Sequence, residues 1–392
     1  MKTYLDSGAS TKVDPKILEK MKPYFTQKYG NASSGHSWGQ EAKHAMEDAR
    51  ETIAKSIRAK PEEIIFTSGG TESNNFALKS TAFTNREKGN HIITTKIDHD
   101  CVLHSCKWLE KQGFKITYLN VDENGFVKTD ELQNAITKKT ILFSAIHGNN
   151  EIGTIQNLKE LTKISHEHDV YFHTDACQSY TKTKLDVKEQ DLDMATINAH
   201  KLNGPKGVGA LYIKTGTEID AWQHGGGHER GMRSSTENIH GIVGFGEAVR
   251  IAMKPEHVER MTKLRDNLIK GVLEIPNVEL NGPTGNKRLC NNTNFCFQGI
   301  EGEALGGYLD LKEIASSTGS ACSSHTLEPS HVITAIGRTP EQANSSVRIT
   351  LSRFTTQEEI NYLLQELPGI VTKLRRISPL SKVVDYVLKK SS

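Results

Sequence analysis

The sequence lacks the features that mark several classes of protein. No apolar run approaches the roughly 18 residues that a membrane-spanning helix needs, and Met1–Asp6 contains no apolar secretion segment. The 49 Lys and Arg residues nearly balance the 47 Asp and Glu residues, so a net charge of +2 indicates no basic surface for a nucleic acid. These absences predict a cytoplasmic protein that binds neither a membrane nor a nucleic acid directly.

Cysteine is also scarce, with six residues in a chain of 392 and no Cys-x-x-Cys pair. The cysteines are too few and too irregularly spaced for a disulfide framework, and no zinc site is indicated. Most of them are therefore predicted to be reduced, buried side chains. Cys322 differs, because it lies in the small-residue run Gly319–Ser324, which is typical of a polar loop open to an external electrophile.

Length and composition indicate a globular protein of about two domains. From about residue 60 to residue 215, short β-branched runs alternate with helical periodicity, which predicts an α/β fold with a mostly parallel seven-stranded sheet. The predicted strands are Glu63–Thr67, His91–Thr95, Lys115–Leu119, Ile141–Ala145, Tyr171–Asp175, Met194–Asn198 and Ala210–Ile213. Before them, Asp14 is predicted to cap a helix that has Pro15 at its first position, and residues 39–59 are predicted to form a long amphipathic helix. After residue 253, shorter strands mix with helices. We therefore expect a large domain of residues 14–256 and a small α+β domain formed by residues 1–13 and 257–392.

Polar side chains follow the ends of these predicted strands, where open α/β sheets hold their active sites. Lys201 follows an apolar strand, so a desolvated amine there can be kept partly neutral. Asp175 ends another strand, and a buried carboxylate needs a cationic or hydrogen-bonding partner. Gly70 and Thr71 open a helix whose free N–H groups suit a phosphate. Together with an aromatic ring at His99, these groups match the needs of pyridoxal phosphate.

Six segments carry a resemblance to a known family: residues 67–75, 147–153, 175–179, 199–201, 225–234 and 319–324. In these segments the chain resembles the cysteine desulfurases of the NifS/IscS type, and the similarity is collinear from Tyr4 to Leu380. The resemblance implies a homodimeric fold-type I pyridoxal-phosphate transferase. Its implied reaction removes sulfur from L-cysteine, releases L-alanine and leaves a persulfide on Cys322.

The resemblance also implies a role for each matching residue. Lys201 would hold the cofactor aldehyde, and Cys322 would attack the substrate sulfur. His99 would stack on the cofactor ring and move protons, Asp175 would pair with the ring nitrogen, and Arg348 would clamp the substrate carboxylate. The remaining contacts would come from Asn150 and Gln178 at the ring hydroxyl, from Gly70, Thr71, Asn198 and His200 at the phosphate, from Thr236 of the other subunit, and from Asn150 again at the substrate.

Some positions depart from the family pattern. Asn198 replaces the usual serine near the phosphate and Ser235 replaces the usual glycine, so phosphate affinity is expected to differ while an amide donor remains. Cys101 and Cys177 lie near the predicted pocket, either as core side chains or as sites that receive or trap sulfur. His325 either assists the neighbouring thiol or lies in solvent.

Three other functions remain open at this point. A transaminase would share the lysine and the aspartate, and a selenocysteine lyase would remove selenium by the same reaction. An inactive assembly partner would need neither Lys201 nor Cys322. The presence of both Lys201 and Cys322 favours the desulfurase. Its sulfur acceptor would be an iron–sulfur scaffold protein or a tRNA-thiolation enzyme, and the amphipathic segment 381–390 either docks that acceptor or packs on its own domain.

Overall fold

A computed structural model describes residues 1–318 and 328–378 of the chain. In these two ranges the protein has an α/β architecture with one seven-stranded sheet, one three-stranded sheet and one two-stranded sheet. No helix in the described ranges is long and apolar enough to cross a membrane. Cys322, His325 and the segment 381–390 lie outside the described residues.

The strands in the described ranges are β1 (Thr3–Tyr4), β2 (Ile64–Thr67), β3 (His91–Thr95), β4 (Lys115–Leu119), β5 (Thr140–Ile146), β6 (Tyr171–Asp175), β7 (Met194–Asn198), β8 (Gly209–Ile213), β9 (Val278–Leu280), β10 (Asn292–Phe297), β11 (Ile314–Ala315) and β12 (Ser346–Thr350). The α-helices are α1 (Pro15–Met21), α2 (Pro23–Thr26), α3 (Ser37–Ser56), α4 (Gly70–Thr84), α5 (Asp100–Lys111), α6 (Thr129–Ala135), α7 (Leu158–His166), α8 (Ile239–Ala252), α9 (Pro255–Leu273), α10 (Gly302–Asp310), α11 (His331–Ala335), α12 (Pro340–Asn344) and α13 (Gln357–Ile377).

The large sheet has the strand order β2-β8-β7-β6-β5-β3-β4. Every neighbouring pair is parallel except those of β8, which runs antiparallel to both β2 and β7. Strands β3, β5 and β7 are buried along their whole length, as expected for a sheet covered on both faces. The prediction of a mostly parallel seven-stranded sheet is confirmed. The parallel strands place their carboxyl ends, and the polar residues that follow them, on the same side of the sheet.

Helix boundaries follow local chemistry. Asp14 accepts a hydrogen bond from the Lys16 amide at 2.8 Å, so the predicted cap precedes α1 with proline at its first position. Helix α3 was expected from residue 39 to residue 59 but runs from Ser37 to Ser56. It begins earlier because His36 caps it by accepting from Gly39, and it ends before Arg58, whose φ of 60° is left-handed.

A second buried cluster lies apart from the large sheet. It joins Leu5 to apolar residues of α9, α13 and the three-stranded sheet β12-β10-β9. The N-terminal strand β1 pairs with β11, which attaches the start of the chain to this part of the molecule. The predicted boundary between residues 256 and 257 falls in the first turn of α9, and the division into two domains stays a prediction.

Candidate active site

A cavity of about 230 Å³ lies at the carboxyl ends of the parallel strands. Most of the residues that the sequence singled out line it together: Gly70, Thr71, His99, Asn150, Asp175, Gln178, Asn198, His200, Lys201 and Arg348. Residues that sequence reasoning missed or left without a role complete the lining: Gly8, Ala9, Asn74, Cys101, Ile146 and Cys177.

The amine of the cavity belongs to Lys201, which follows β7 by three residues. Its Nζ donates hydrogen bonds to the carbonyl oxygens of Gly8 and, at 2.7 Å, Ala9. Removal from water, and then the nearby positive charge of Arg348, lowers the pKa of Lys201 to about 8. A substantial fraction of this amine is therefore neutral near physiological pH and able to act as a nucleophile.

A carboxylate lies at the end of β6, where Asp175 is 4% exposed. Its Oδ2 accepts from Asn74 Nδ2 at 2.6 Å and its Oδ1 accepts from the Cys177 amide at 2.9 Å. These two donors fix the orientation of the carboxyl group, which is suited to pair with a pyridine nitrogen. Burial, with the charge of Asp175 beside it, raises the pKa of the Cys177 thiol well above its usual value, so this cysteine stays neutral.

The start of α4 is suited to bind an anion. Gly70 and Thr71 are its first residues, and their backbone N–H groups precede the first intrahelical bonds. Space there is tight, because a Cβ at Gly70 would lie 2.5 Å from the sulfur of Cys177. Burial and the charge of Lys201 lower the pKa of His200 to about 3, so its imidazole is neutral at physiological pH and offers hydrogen bonds rather than charge.

Arg348 lies on β12 and is 2% exposed. Its guanidinium donates to the carbonyl of Asn150 at 3.0 Å and to Asp6 Oδ1 at 3.1 Å. Its Nε and the side-chain oxygen of Asn150 have no hydrogen-bond partner among the described residues. A buried guanidinium with a remaining donor is suited to a ligand carboxylate.

Thr236 does not line this cavity and lies in the loop between Arg233 and α8. The segment just before this loop is held by a buried ion pair, since Arg50 on α3 donates twice to Glu229 at 2.7 Å, and Glu229 also accepts from the Phe66 amide on β2 at 2.7 Å. Arg233 also pairs with Glu72, near the start of α4. The predicted contribution of Thr236 to a second subunit stays a prediction.

The cavity fits pyridoxal phosphate on the chemistry of its own groups. The side-chain oxygens of Asn74, Asn150 and Asn198 are buried and lack a partner within the described chain, which is unfavourable unless a ligand meets them. The cavity also offers an amine for an aldehyde, a helix start for a phosphate and a carboxylate for a pyridine nitrogen. The described residues contain no cluster of three or more side chains that could hold a metal ion.

Comparison with known proteins agrees with this chemistry. The profile of the aminotransferase class-V family matches residues 3–363. The chain is 50% identical to "Cysteine desulfurase IscS" of Clostridium botulinum over 99% of its own length and 98% of the relative's. It is 52% identical to "Cysteine desulfurase IscS" of Dictyoglomus turgidum, over 96% of each chain.

Solved structures give the same result. A "NifS-like protein" superposes with a TM-score of 0.90 at 38% identity, covering 95% of this chain and 100% of that one. "SspA in complex with cysteine" superposes with a TM-score of 0.81 at 36% identity, covering 91% and 100%. The chain belongs to the class V aminotransferase family, whose fold-type I members use pyridoxal phosphate. Within that family it is a cysteine desulfurase of the NifS/IscS type.

Proposed function

We propose that this chain converts L-cysteine to L-alanine with pyridoxal phosphate and passes the sulfur to Cys322 as a persulfide. The observation that carries the proposal is the convergence of three groups in one cavity. Lys201 supplies a partly neutral amine, Asp175 a carboxylate and Arg348 a buried guanidinium. Such a set binds an amino acid by its carboxylate while its amine meets the cofactor aldehyde.

Each residue has a task in this reaction. When bound, pyridoxal phosphate supplies an aldehyde for the substrate amine and a ring that withdraws electrons from Cα. Asp175 holds the ring nitrogen protonated, and Arg348 orients the substrate through its carboxylate. Lys201 Nζ, whose pKa is lowered to about 8, would accept a proton at the substrate, and His99 would donate or accept protons beside the ring.

The contacts at the start of α4 retain the phosphate in this proposal. Gly70 and Thr71 offer backbone N–H groups, and the side chains of Asn198 and His200 add hydrogen bonds. Asn150 and Gln178 meet the ring hydroxyl, which would give the unpaired oxygen of Asn150 a partner. Thr236 reaches the phosphate of the partner subunit in a homodimer, and its position outside its own cavity supports that assignment.

Cys322 completes the reaction as the sulfur acceptor. Its thiolate forms a bond to the substrate sulfur while the carbon–sulfur bond breaks, and the substrate carbon then takes protons to become the methyl group of alanine. No external oxidant is needed, because the two electrons that the two sulfur atoms lose are taken up by the substrate carbon.

Covalent connectivity supports a thiol that reaches the cavity. Ser317 exchanges backbone hydrogen bonds with Arg348 at 3.1 and 2.7 Å. Cys322 follows five residues later in the sequence, and five residues of fully extended chain span about 17 Å. On the other side, Ser330 donates to Glu151 at 2.6 Å, next to a cavity residue. Both flanks of the cysteine segment are thus attached to elements that form the cavity.

The sulfur leaves Cys322 for a cytoplasmic acceptor protein in this proposal. That acceptor serves iron–sulfur cluster assembly or tRNA thiolation, and the chain itself needs no contact with a nucleic acid. Selenocysteine would meet the same cavity contacts, so a selenocysteine lyase activity is the alternative that the site chemistry also accommodates.

Turnover of L-cysteine by the purified protein tests this function. With pyridoxal phosphate and a thiol reductant, we expect alanine and sulfide in equal amounts, both lost after the cofactor is removed with hydroxylamine. A parallel incubation with L-selenocysteine measures the alternative substrate, and one with L-alanine and a 2-oxo acid measures transamination. Transamination without sulfide release would contradict the proposal.

The pH dependence of cofactor binding is a second expected result. Only the neutral amine attacks the aldehyde, and the pKa of Lys201 is lowered to about 8 from an ordinary value of 10.5. The rate of covalent cofactor uptake by cofactor-free protein should therefore rise with pH and level off above about pH 8 to 9. Stopped-flow absorbance from pH 6 to pH 10 measures it, with a lysine peptide as the control. A rate that keeps rising through pH 10 would refute the lowered pKa.

A further inference from the structure

We propose that Cys101 is a positioning residue whose thiol, held between Asn74 and His99, keeps the imidazole proton of His99 on Nε2. The inference rests on the proposed function, because it assigns the protons of a residue beside the cofactor ring. Cys101 lines the same cavity and lies in the first turn of α5, and His99 immediately precedes that helix.

A chain of short contacts connects the carboxylate to the imidazole. The side-chain nitrogen of Asn74 donates to Asp175 Oδ2 at 2.6 Å and to the sulfur of Cys101 at 3.1 Å. The same sulfur lies 3.1 Å from His99 Nδ1. The backbone N–H of Cys101 also donates to His99 Nδ1, at 3.2 Å, as the cap of α5. The four side chains therefore form one hydrogen-bonded path.

Only one arrangement of protons satisfies every member of this path. A backbone N–H can only donate, so the 3.2 Å contact from Cys101 favours the lone pair on His99 Nδ1, and a neutral ring then carries its proton on Nε2. The amide of Asn74 must turn its nitrogen toward Asp175, because its oxygen would repel a carboxylate at 2.6 Å. The Cys101 sulfur thus accepts from Asn74, and its S–H is left to donate to Nδ1.

This arrangement gives Cys101 a specific effect on its neighbour. With two donors on Nδ1, the ring is fixed in rotation and in tautomer, and Nε2–H is the group available for proton transfer. Asp175 is linked to the same path through Asn74, so the groups expected at the ring nitrogen and at the ring face are oriented together. Loss of the thiol would remove one of these two donors to Nδ1 and so weaken the preference for the Nε2 tautomer.

Two substitutions separate hydrogen bonding from packing. Cys101→Ser keeps a group that accepts from Asn74 and donates to His99, whereas Cys101→Val removes both bonds and adds about one methyl group, a size change that the Cys106→Val control shares. We expect Cys101→Ser to stay within about twofold of wild-type kcat, and Cys101→Val to lose about tenfold in kcat with KM unchanged, as for loss of the hydrogen bond to His99. Cys106→Val, on the buried side of α5, is the matched control for a cysteine-to-valine change.

A readout independent of turnover accompanies the kinetics. Nitrogen NMR of labelled histidine should show the His99 proton on Nε2 in wild type and in Cys101→Ser, in cofactor-free and loaded protein. A second tautomer should appear in Cys101→Val but not in Cys106→Val. The absorbance spectrum of the bound cofactor should change in Cys101→Val alone.

Three results would overturn the inference: a wild-type proton on Nδ1, wild-type kcat in Cys101→Val, or equal losses in the serine and valine variants. Equal losses would indicate a nucleophilic thiol at this position instead. If wild-type protein releases no sulfide from L-cysteine, the proposed function fails, but the NMR result still supports or refutes the role of Cys101.

Discussion

Replacing Lys201 by alanine is expected to lower kcat for L-cysteine by at least about 10³-fold, because covalent attachment and amine-mediated proton transfer are both lost. The remaining contacts at the helix start and at Asp175 are non-covalent, so the cofactor should also leave during dialysis. Absorbance of the dialysed protein and the rate of alanine formation measure the two effects.

The matched control for this change is Lys206→Ala. Lys206 is an exposed lysine five residues later in the same turn region, and it does not line the cavity. It should retain both cofactor and turnover. Full activity of the Lys201 variant after dialysis would exclude this lysine as the residue that holds the aldehyde.

Replacing Cys322 by serine is expected to lower alanine formation by at least about 10²-fold, because a hydroxyl is a much weaker nucleophile toward sulfur than a thiolate. The cofactor contacts of the cavity are untouched by this change. Absorbance of the bound cofactor and its initial change on addition of L-cysteine should therefore match wild type. The loss should fall on the sulfur-transfer step, which single-turnover kinetics of alanine formation measures.

Cys296→Ala serves as the control, because Cys296 is buried in β10 and does not line the cavity. It should form alanine at the wild-type rate. Mass spectrometry after L-cysteine treatment should show one added sulfur on Cys322 in the wild type and in this control. Alanine formation that survives fully in Cys322→Ser would remove Cys322 from the mechanism.

Much of the large sheet could be predicted from local pattern alone. Strands over His91–Thr95, Lys115–Leu119, Tyr171–Asp175 and Met194–Asn198 are confirmed to the residue, because short β-branched runs between polar turns have few other stable arrangements. The ends of α3 differ from the predicted ones because a capping residue, His36, sets its start and a left-handed residue, Arg58, follows its end. Hydrophobic periodicity contains neither signal.

The site was predictable where a motif follows a strand directly. Lys201, Asp175 and Gly70 were placed by that rule, and all of them line the cavity. Gly8 and Ala9 were missed, because they come from the far N-terminus and approach the amine through backbone carbonyls. No periodicity marks such a contact.

Asn74 shows a second limit of local pattern. It lies within the run Ser68–Asn75, whose first residues were interpreted as a phosphate turn. The structure turns its side chain instead toward Asp175 and Cys101, which are 101 and 27 residues away. A sequence shows that an asparagine is present but not which two side chains accept hydrogen bonds from its amide.

Hydrophobic periodicity, turn residues and the family motifs were sufficient for the fold class, the strand positions and the identity of most cavity residues, because those properties depend on neighbours in the chain. Long-range packing sets the rest. The lowered pKa of Lys201 arises from its loss of water and from Arg348 on β12, which is 147 positions away. The proton arrangement at His99 likewise exists only because β3, β6, α4 and α5 bring four side chains into contact.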